Sequence, residues 1–472
     1  MATKKVDSRS FGELNFAGAV LGDKRRTKRL VQLSERIAAH PEGTLPRKLG
    51  DPASYQAMYR LCKCRKVTHA AVLEPHRRRT LESMRACEDT VLVIHDTSEL
   101  DYTSRTSLHD QLGQIGDGGG RGYECHNSLA VSAGTGELLG LANQILHHRV
   151  DVPKNEGVAA KREREDRESR LWLLGSQAVG SPPPGREWVD VCDRGADTFE
   201  FLDDEARRDR QYVVRSNHNR AILVGHGDDP TQDPQRGFLH DYARSQEPIA
   251  GRVVSVPAGK GRQARRAKCL ISVVPVRIQR PHNKRGHYRD EPLLVWVVRV
   301  WEIDAPADVE QPLEWILLTN VPTTSAADAV ERIGWYERRW IIEDYHKAQK
   351  TGCGVESLPF DHVDRLEPMI ALLSVVAVML VNLRHAARQP DAATTPATTC
   401  VPLAHIAVLS VWRYRERRVE LTVHEFFMAL GRLGGHQNRK SDGPPGWITL
   451  WRGWNQLQQM VDYAIKAGVE KM

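Results

Sequence analysis

Three acidic residues far apart in the chain, Asp96, Asp193 and Glu343, each stand in a setting suited to holding metal. Glu343 lies in the run Tyr336-Glu-Arg-Arg339-Trp-Ile-Ile-Glu343-Asp-Tyr-His-Lys-Ala-Gln-Lys350. Wound as one helix at about 100° per residue, Tyr336, Arg339, Glu343 and Lys350 fall within roughly 60° of one another. Trp335, Ile341, Ile342, Tyr345 and Ala348 fall on the other side. One face is therefore apolar, and the other carries a phenol, a guanidinium, a carboxylate and an ammonium. A carboxylate can ligate metal, while the cations and the phenol can hold phosphate oxygens. That pairing points to phosphoryl transfer on a polyanion.

The two aspartates follow short apolar runs. Thr90-Val-Leu-Val-Ile-His95 reads as a strand buried on both faces and ending at Asp96. Trp188-Val-Asp-Val-Cys192 reads the same way and ends at Asp193. Carboxylates are hard oxygen donors suited to Mg²⁺ or Mn²⁺. Three that converge can hold two ions for in-line displacement at phosphorus. A lone aspartate at a strand end is more often a cap or loop residue. Asp101, Asp197 and Asp344 lie near enough in sequence to be alternatives. A paired-carboxylate glycosidase would explain the acids but not the cations around Glu343.

Other elements must position these groups. Residues 10–70 read as a small helical unit with a basic face, including a helix at Pro52–Cys62. A helix from residue 70 to about Cys87 precedes the first strand. The glycine-rich stretch 113–122 lacks the Gly-Lys-Ser/Thr of a nucleotide loop and reads as a hairpin connection. Asn127–Ala133 and Leu138–Ile145 look like a meander. Glu163–Val179 and Ala196–Arg207 look like helices, with Tyr212–Arg215 a further strand. The strand–helix alternation implies an α/β core. From about 220 to 310, Ile249–Val256, Ala267–Val276 and Leu293–Glu302 read as an inserted all-β segment. Pro312–Asn320 returns to the core as a strand, and Ala326–Lys350 is read as one helix. The apolar run Met369–Leu383 is too short to span a bilayer comfortably and reads as a buried core helix. Helices continue to the end, interrupted by a Pro/Ala/Thr-rich linker at 389–399.

At 472 residues the chain can form several units with a large core. Its net charge of +7 favours an anionic partner. The cations cluster at Lys24, Arg25, Arg26, Lys28 and Arg29, at 260–268, and at Lys284, Arg285 and Arg289. Such clusters suit a long polyphosphate, although any one of them could be solvated surface. The eight cysteines contain no Cys-x-x-Cys pair, which argues against a zinc module and fits free thiols in a reducing compartment. The first residues lack the apolar stretch of a secretory signal.

The chain resembles the Asp-Asp-Glu transposases of the bacterial insertion-sequence-four class over nearly its whole length. The signature Tyr-x2-Arg-x3-Glu-x6-Lys is matched by Tyr336, Arg339, Glu343 and Lys350. Ile94-His-Asp-Thr97 and Val191-Cys-Asp-Arg-Gly-Ala-Asp197 resemble the two aspartate motifs. Leu21 to Leu30 resembles an end-binding helix, and Ala57-Met-Tyr-Arg-Leu61 the helix after it. Arg432-Leu-Gly-Gly-His436 and Leu450-Trp-Arg-Gly-Trp454 resemble a C-terminal pairing domain.

The resemblance implies an α/β, ribonuclease-H-like catalytic core with an inserted β-rich subdomain. Helical domains would flank it: end-binding at 1–70, core at 71–370, dimerisation at 371–472. It implies cut-and-paste transposition through a hairpin. Asp96, Asp193 and Glu343 would be the catalytic ligands of Mg²⁺ or Mn²⁺. The partner would be double-stranded DNA, as transposon ends and as target, bound by a homodimer in the bacterial cytoplasm at the nucleoid, with no membrane. Arg25, Arg26 and Arg29 would bind DNA. Arg215, Tyr336, Arg339 and Lys350 would contact phosphates near the cleaved end. Trp315 would stack a flipped base, and Trp340 would wedge the duplex open. The alternative for each tryptophan is core packing. His95, Gly195 and Phe199 depart from the family pattern, but none is a ligand. The alternative function is a catalytically silent DNA-binding regulator or inhibitor.

Overall fold

The computed structural model describes residues 9–150, 157, 164–224, 235–256, 264–281, 288–306, 309–387, 391–439 and 442–468. The first elements are helices: α1 (Phe11–Phe16), α2 (Lys24–Ala39), α3 (Leu45–Leu49), α4 (Pro52–Cys62) and α5 (His69–Ala86). Asp23 caps α2, its side chain accepting from the Arg25 amide. Leu30, Leu33 and Ile37 recur at helical spacing along α2 and are buried, so Lys24, Arg25, Lys28 and Arg29 are left on the solvent side. The two clusters beyond it differ. Arg265 is paired with Glu302 and Arg289 with Asp203, so those cations are used within the fold. Lys260, Arg262, Lys284 and Arg285 lie outside the described residues.

Among the described residues, one sheet of twelve strands runs through the molecule. Its strands and their companion helices are β1 (Val91–Asp101), β2 (Gly113–Ile115), β3 (Gly120–Ser132), β4 (Leu138–His147), α6 (Leu171–Val179), β5 (Trp188–Cys192), α7 (Phe199–Arg207), β6 (Gln211–Arg215), β7 (Ala221–Val224), β8 (Gln235–Phe238), α8 (Leu239–Arg244), β9 (Ala250–Val256), β10 (Arg265–Ile278), β11 (Leu293–Ile303) and β12 (Glu314–Thr319). β5 lies parallel to β1 on one side and to β6 on the other, and β3 and β4 continue the opposite edge in antiparallel fashion. Helices cover both faces, which is why β1 and β5 read as continuous apolar runs. Leu92, Ile94, Val189 and Val191 enter a core shared with the N-terminal helices. Cys192, Tyr212 and Val214 enter the core under α6 and α7.

Several expectations need correction. β1 does not end at Asp96: it runs on to Asp101, paired with β3 throughout. Its parallel pairing with β5 does end at His95, so Asp96 still marks the point where the parallel region stops. The inserted segment is neither all-β nor separate. It contains α8, and β10 and β11 extend the central sheet through β12, which pairs with β6. The helix expected at Glu163–Val179 starts only at Leu171, Glu163 itself lying outside the described residues. The one expected at Ala196–Arg207 starts at Phe199, where Thr198 caps it. The helix expected over 326–350 is broken into α9 (Ala326–Glu337) and α10 (Trp340–Lys347), followed by a π turn at Ala348–Gly352. At the break, the amides of Arg339 and Ile342 bond three residues back, a tighter winding than an α-helix.

α11 (Val363–Ala387) is the expected buried helix, with an almost unbroken buried stretch from Leu366 to Val381. By length and composition it could cross a membrane, but it packs inside the protein. α12 (Leu403–Tyr414), α13 (Val423–Leu433) and α14 (Trp447–Lys466) form a core of their own around Phe426, Leu430, Leu450 and Leu457. α13 and α14 cross closely through glycine. A Cβ on Gly434 would run into the Thr449 carbonyl, and one on Gly453 into the Leu430 carbonyl.

Candidate active site

The end of the parallel β1–β5 pair and the α9–α10 junction meet at one place. Asp96 and Asp193 follow the aligned residues His95 and Cys192, so adjacent strands deliver both carboxylates to the same edge. α10 packs against β1 and brings Glu343 to them. Burial pushes the Asp96 carboxyl up to about 7, with Asp193 and Glu343 adding repulsion and Arg339 opposing it. Asp193 is also raised, by burial first and by Glu343. The three acids therefore act on one another electrostatically, as convergence requires. Each aspartate is fixed by the backbone: Asp96 Oδ1 accepts from the Thr97 amide at 2.8 Å, and Asp193 Oδ1 from Gly195 at 2.9 Å.

Arg339 bridges the cluster. Its Nη1 donates to Asp96 at 2.8 Å, and its Nη2 to Glu343 at 3.2 Å. The tight winding at the helix break sets this placement, because Arg339 is the last residue before α10 begins. Tyr336 is buried against it, also near Arg215, and its phenol is held above its ordinary value chiefly by that burial. Trp315, partly buried on β12, meets Tyr336 edge-on at 5.5 Å between centroids. Trp340 is 61% exposed, so the core alternative fails for it; its ring lies 5.6 Å from the Arg339 guanidinium. Arg215 donates to the Glu314 carbonyl at 3.2 Å.

Lys350 lies in the π turn and pairs with Glu356 at 3.2 Å. There it lines, with Thr97 and Gly195, a cavity of about 670 Å³ that opens beside the carboxylates. The α2 cations Arg25, Arg26 and Arg29 sit on a separate element. Arg25 is paired with Asp23, and Arg26 donates to the Leu21 carbonyl.

The alternative acids are engaged elsewhere. Asp197 is fully buried, bound by Arg220 and by the amides of Asn217 and His218. Asp344 pairs with Arg384, and Asp101 accepts from the Thr103 amide on the surface. His95 has a structural place: it is buried and bridges Asp190 at 2.8 Å and Ser128 at 3.0 Å. Burial would raise Asp190, but Arg210 and His95 outweigh it and hold that carboxyl well below its usual range.

One residue was missed. Carboxylate oxygens of Asp96 and Glu343 and a ring nitrogen of His346 all lie within 4.8 Å of one another. Burial keeps His346 neutral, its value lowered to about 3, and Nε2 lies 3.2 Å from Asn127 Nδ2. The spacing Glu343-x-x-His346, one helical turn on the same face, was the available signal. Such a set of oxygen donors with one imidazole can take a divalent cation. Residues 8–67, which include the basic helix α2, match the family model described as transposase DNA-binding, so this part of the chain is similar to the DNA-binding domains of transposases and makes DNA the supported partner.

Proposed function

We propose that the protein is a cut-and-paste DNA transposase with a ribonuclease-H-like core, acting through Asp96, Asp193 and Glu343. The observation that carries the reading is the convergence of these carboxylates at the end of a parallel strand pair, in a chain whose N-terminus matches a transposase DNA-binding model.

The site suits a divalent cation, Mg²⁺ or Mn²⁺. Buried carboxylates repel one another there, with a single guanidinium between two of them, and the donors are hard oxygens. Asp96, Asp193 and Glu343 would hold it. When bound, such an ion polarises a phosphoryl oxygen and makes water or a hydroxyl a better nucleophile.

The chain's own groups do the rest. Arg339 and Arg215 would turn toward phosphates near the scissile bond, and Tyr336 would support both. Trp340 presents an open ring for wedging or stacking. In the proposed sequence, a nick frees a 3′-OH. That hydroxyl attacks the opposite strand to form a hairpin, water opens the hairpin, and the 3′-OH then attacks target DNA. Every step is a displacement at phosphorus, so one site serves all of them. The C-terminal helices would pair two protomers on DNA, and light scattering that finds only monomers on end DNA would remove that part.

The test compares wild type with Asp193→Ala on labelled end DNA in Mg²⁺. Cleavage by wild type alone is expected, with binding retained by both. Binding without cleavage in both proteins would instead make the chain a silent DNA-binding regulator.

A further inference from the structure

His346 brings a donor of a different kind to the carboxylates. One of its ring nitrogens lies within 4.8 Å of oxygens of Asp96 and Glu343, close enough to share a cation with them. An imidazole in that position would suit Zn²⁺, whereas carboxylates alone suit Mg²⁺ and Mn²⁺. To ligate, the ring needs a free lone pair. Burial, helped by the nearby cations Lys350 and Arg339, keeps the ring uncharged, so it has one N–H and one lone pair. The hydrogen bonds around it decide which nitrogen holds which.

Asn127 stands directly opposite Asp96 on β3 and is fully buried. Its Nδ2 lies 3.2 Å from His346 Nε2. The same nitrogen lies 3.2 Å from the Cys125 carbonyl, which can only accept, and this fixes the orientation of the amide. On the other side, Oδ1 accepts from Gln144 Nε2 at 2.7 Å. An amide nitrogen can only donate, so His346 Nε2 accepts. Its lone pair is taken, and the ring proton sits on Nδ1. Neither nitrogen is left to ligate a metal. What the imidazole still offers is the Nδ1 N–H.

We propose that Asn127 is a specificity-determining residue for the metal. By occupying Nε2 of His346 it keeps the imidazole out of the coordination and leaves an oxygen-only site that favours Mg²⁺ or Mn²⁺ over Zn²⁺. The inference rests on the reading of Asp96, Asp193 and Glu343 as metal ligands.

The test uses the full chain and Mn²⁺. Pulsed electron paramagnetic resonance on bound Mn²⁺ detects directly coordinated nitrogen, and wild type is expected to show none. This measurement does not depend on any variant folding, and a nitrogen coupling in wild type overturns the role of Asn127 while leaving the carboxylate site standing. Asn127→Leu keeps the side chain's size and cannot donate, so Nε2 is freed. Its affinity for Zn²⁺ relative to Mn²⁺, read by displacement of Mn²⁺, should rise about 10–100-fold, the scale on which an outer-shell partner changes metal affinity. The gain should vanish when His346→Ala is added. An unchanged ratio in Asn127→Leu, or a gain kept in the double variant, overturns the inference alone. Failure of wild type to bind Mn²⁺, or binding that Asp193→Ala leaves unchanged, overturns the metal reading and the inference with it.

Discussion

Arg339 donates to Asp96 at 2.8 Å and reaches Glu343 at 3.2 Å, so one guanidinium bridges two of the three convergent carboxylates. It occupies the electrostatic place that a cation would share, and it is also the group proposed to hold phosphate. Its two partnerships must therefore compete.

Arg339→Ala should lower stability without divalent ions by about 1–3 kcal/mol, the scale of charged hydrogen bonds. Mg²⁺ should then stabilise the variant more than it stabilises wild type. Thermal melts with and without Mg²⁺ measure this, and equal Mg²⁺ responses would contradict it. In DNA binding, the slope of log affinity against log salt should fall by about 1.

Glu124 sets a pH dependence of stability. Burial, with repulsion from Glu168 and Glu99, pushes its carboxyl up to about 7 from 4.5. The folded state thus holds a proton that the unfolded chain has already released in that window. Stability from this group falls as pH rises from about 4.5 to 7 and stays reduced above. Glu124→Gln should be more stable than wild type at pH 8 by about 1–3 kcal/mol, and equal to it near pH 4. Urea titrations at the two pH values decide it. A variant less stable at pH 8 would sink the idea.

The buried network under the site predicts the opposite kind of effect. Asp190 and Arg210 are both fully buried and bonded at 2.5 Å, with His95 on the other carboxylate oxygen. Asp190→Ala leaves Arg210 only its longer pairing with Glu205 at 3.9 Å and should cost about 3–5 kcal/mol. Denaturant unfolding reads this directly, and a loss under about 1 kcal/mol would mean the network relaxes.

His346→Ala should weaken divalent-ion affinity about 10–100-fold if the imidazole orients or joins the carboxylate site. Mn²⁺ titration followed by electron paramagnetic resonance gives the affinity without relying on turnover. Unchanged binding would reduce His346 to a core residue bonded to Asn127.

Legibility in the sequence followed burial. Trp188–Cys192 is buried at every position, so its apolar run marked both the strand and the aspartate after it. The second half of β1, Thr97 to Asp101, is mostly polar and carried no such mark, because it pairs with β3 at the rim of a cavity instead of in the core. A constant 100° rotation placed Arg339 with Glu343 correctly, since they are one turn apart. For Lys350 the constant step does not apply, because the π turn changes the winding before it is reached. The phenol put Tyr336 on the polar face, yet the residue is buried and meets Trp315 edge-on. Glu124 gave no local signal at all: its importance comes from Glu99, which is distant in sequence and meets it only through strand register.

The continuation of β1 past Asp96 has a consequence for tolerated change. One strand supplies Asp96 to the carboxylate cluster and, three residues on, Glu99 to the cavity, both held in step with β3. Loss or gain of a single residue between them would turn one of the two groups to the opposite side of the sheet. The spacing of those four residues is thus a fixed ruler, and length variation should be filtered out there.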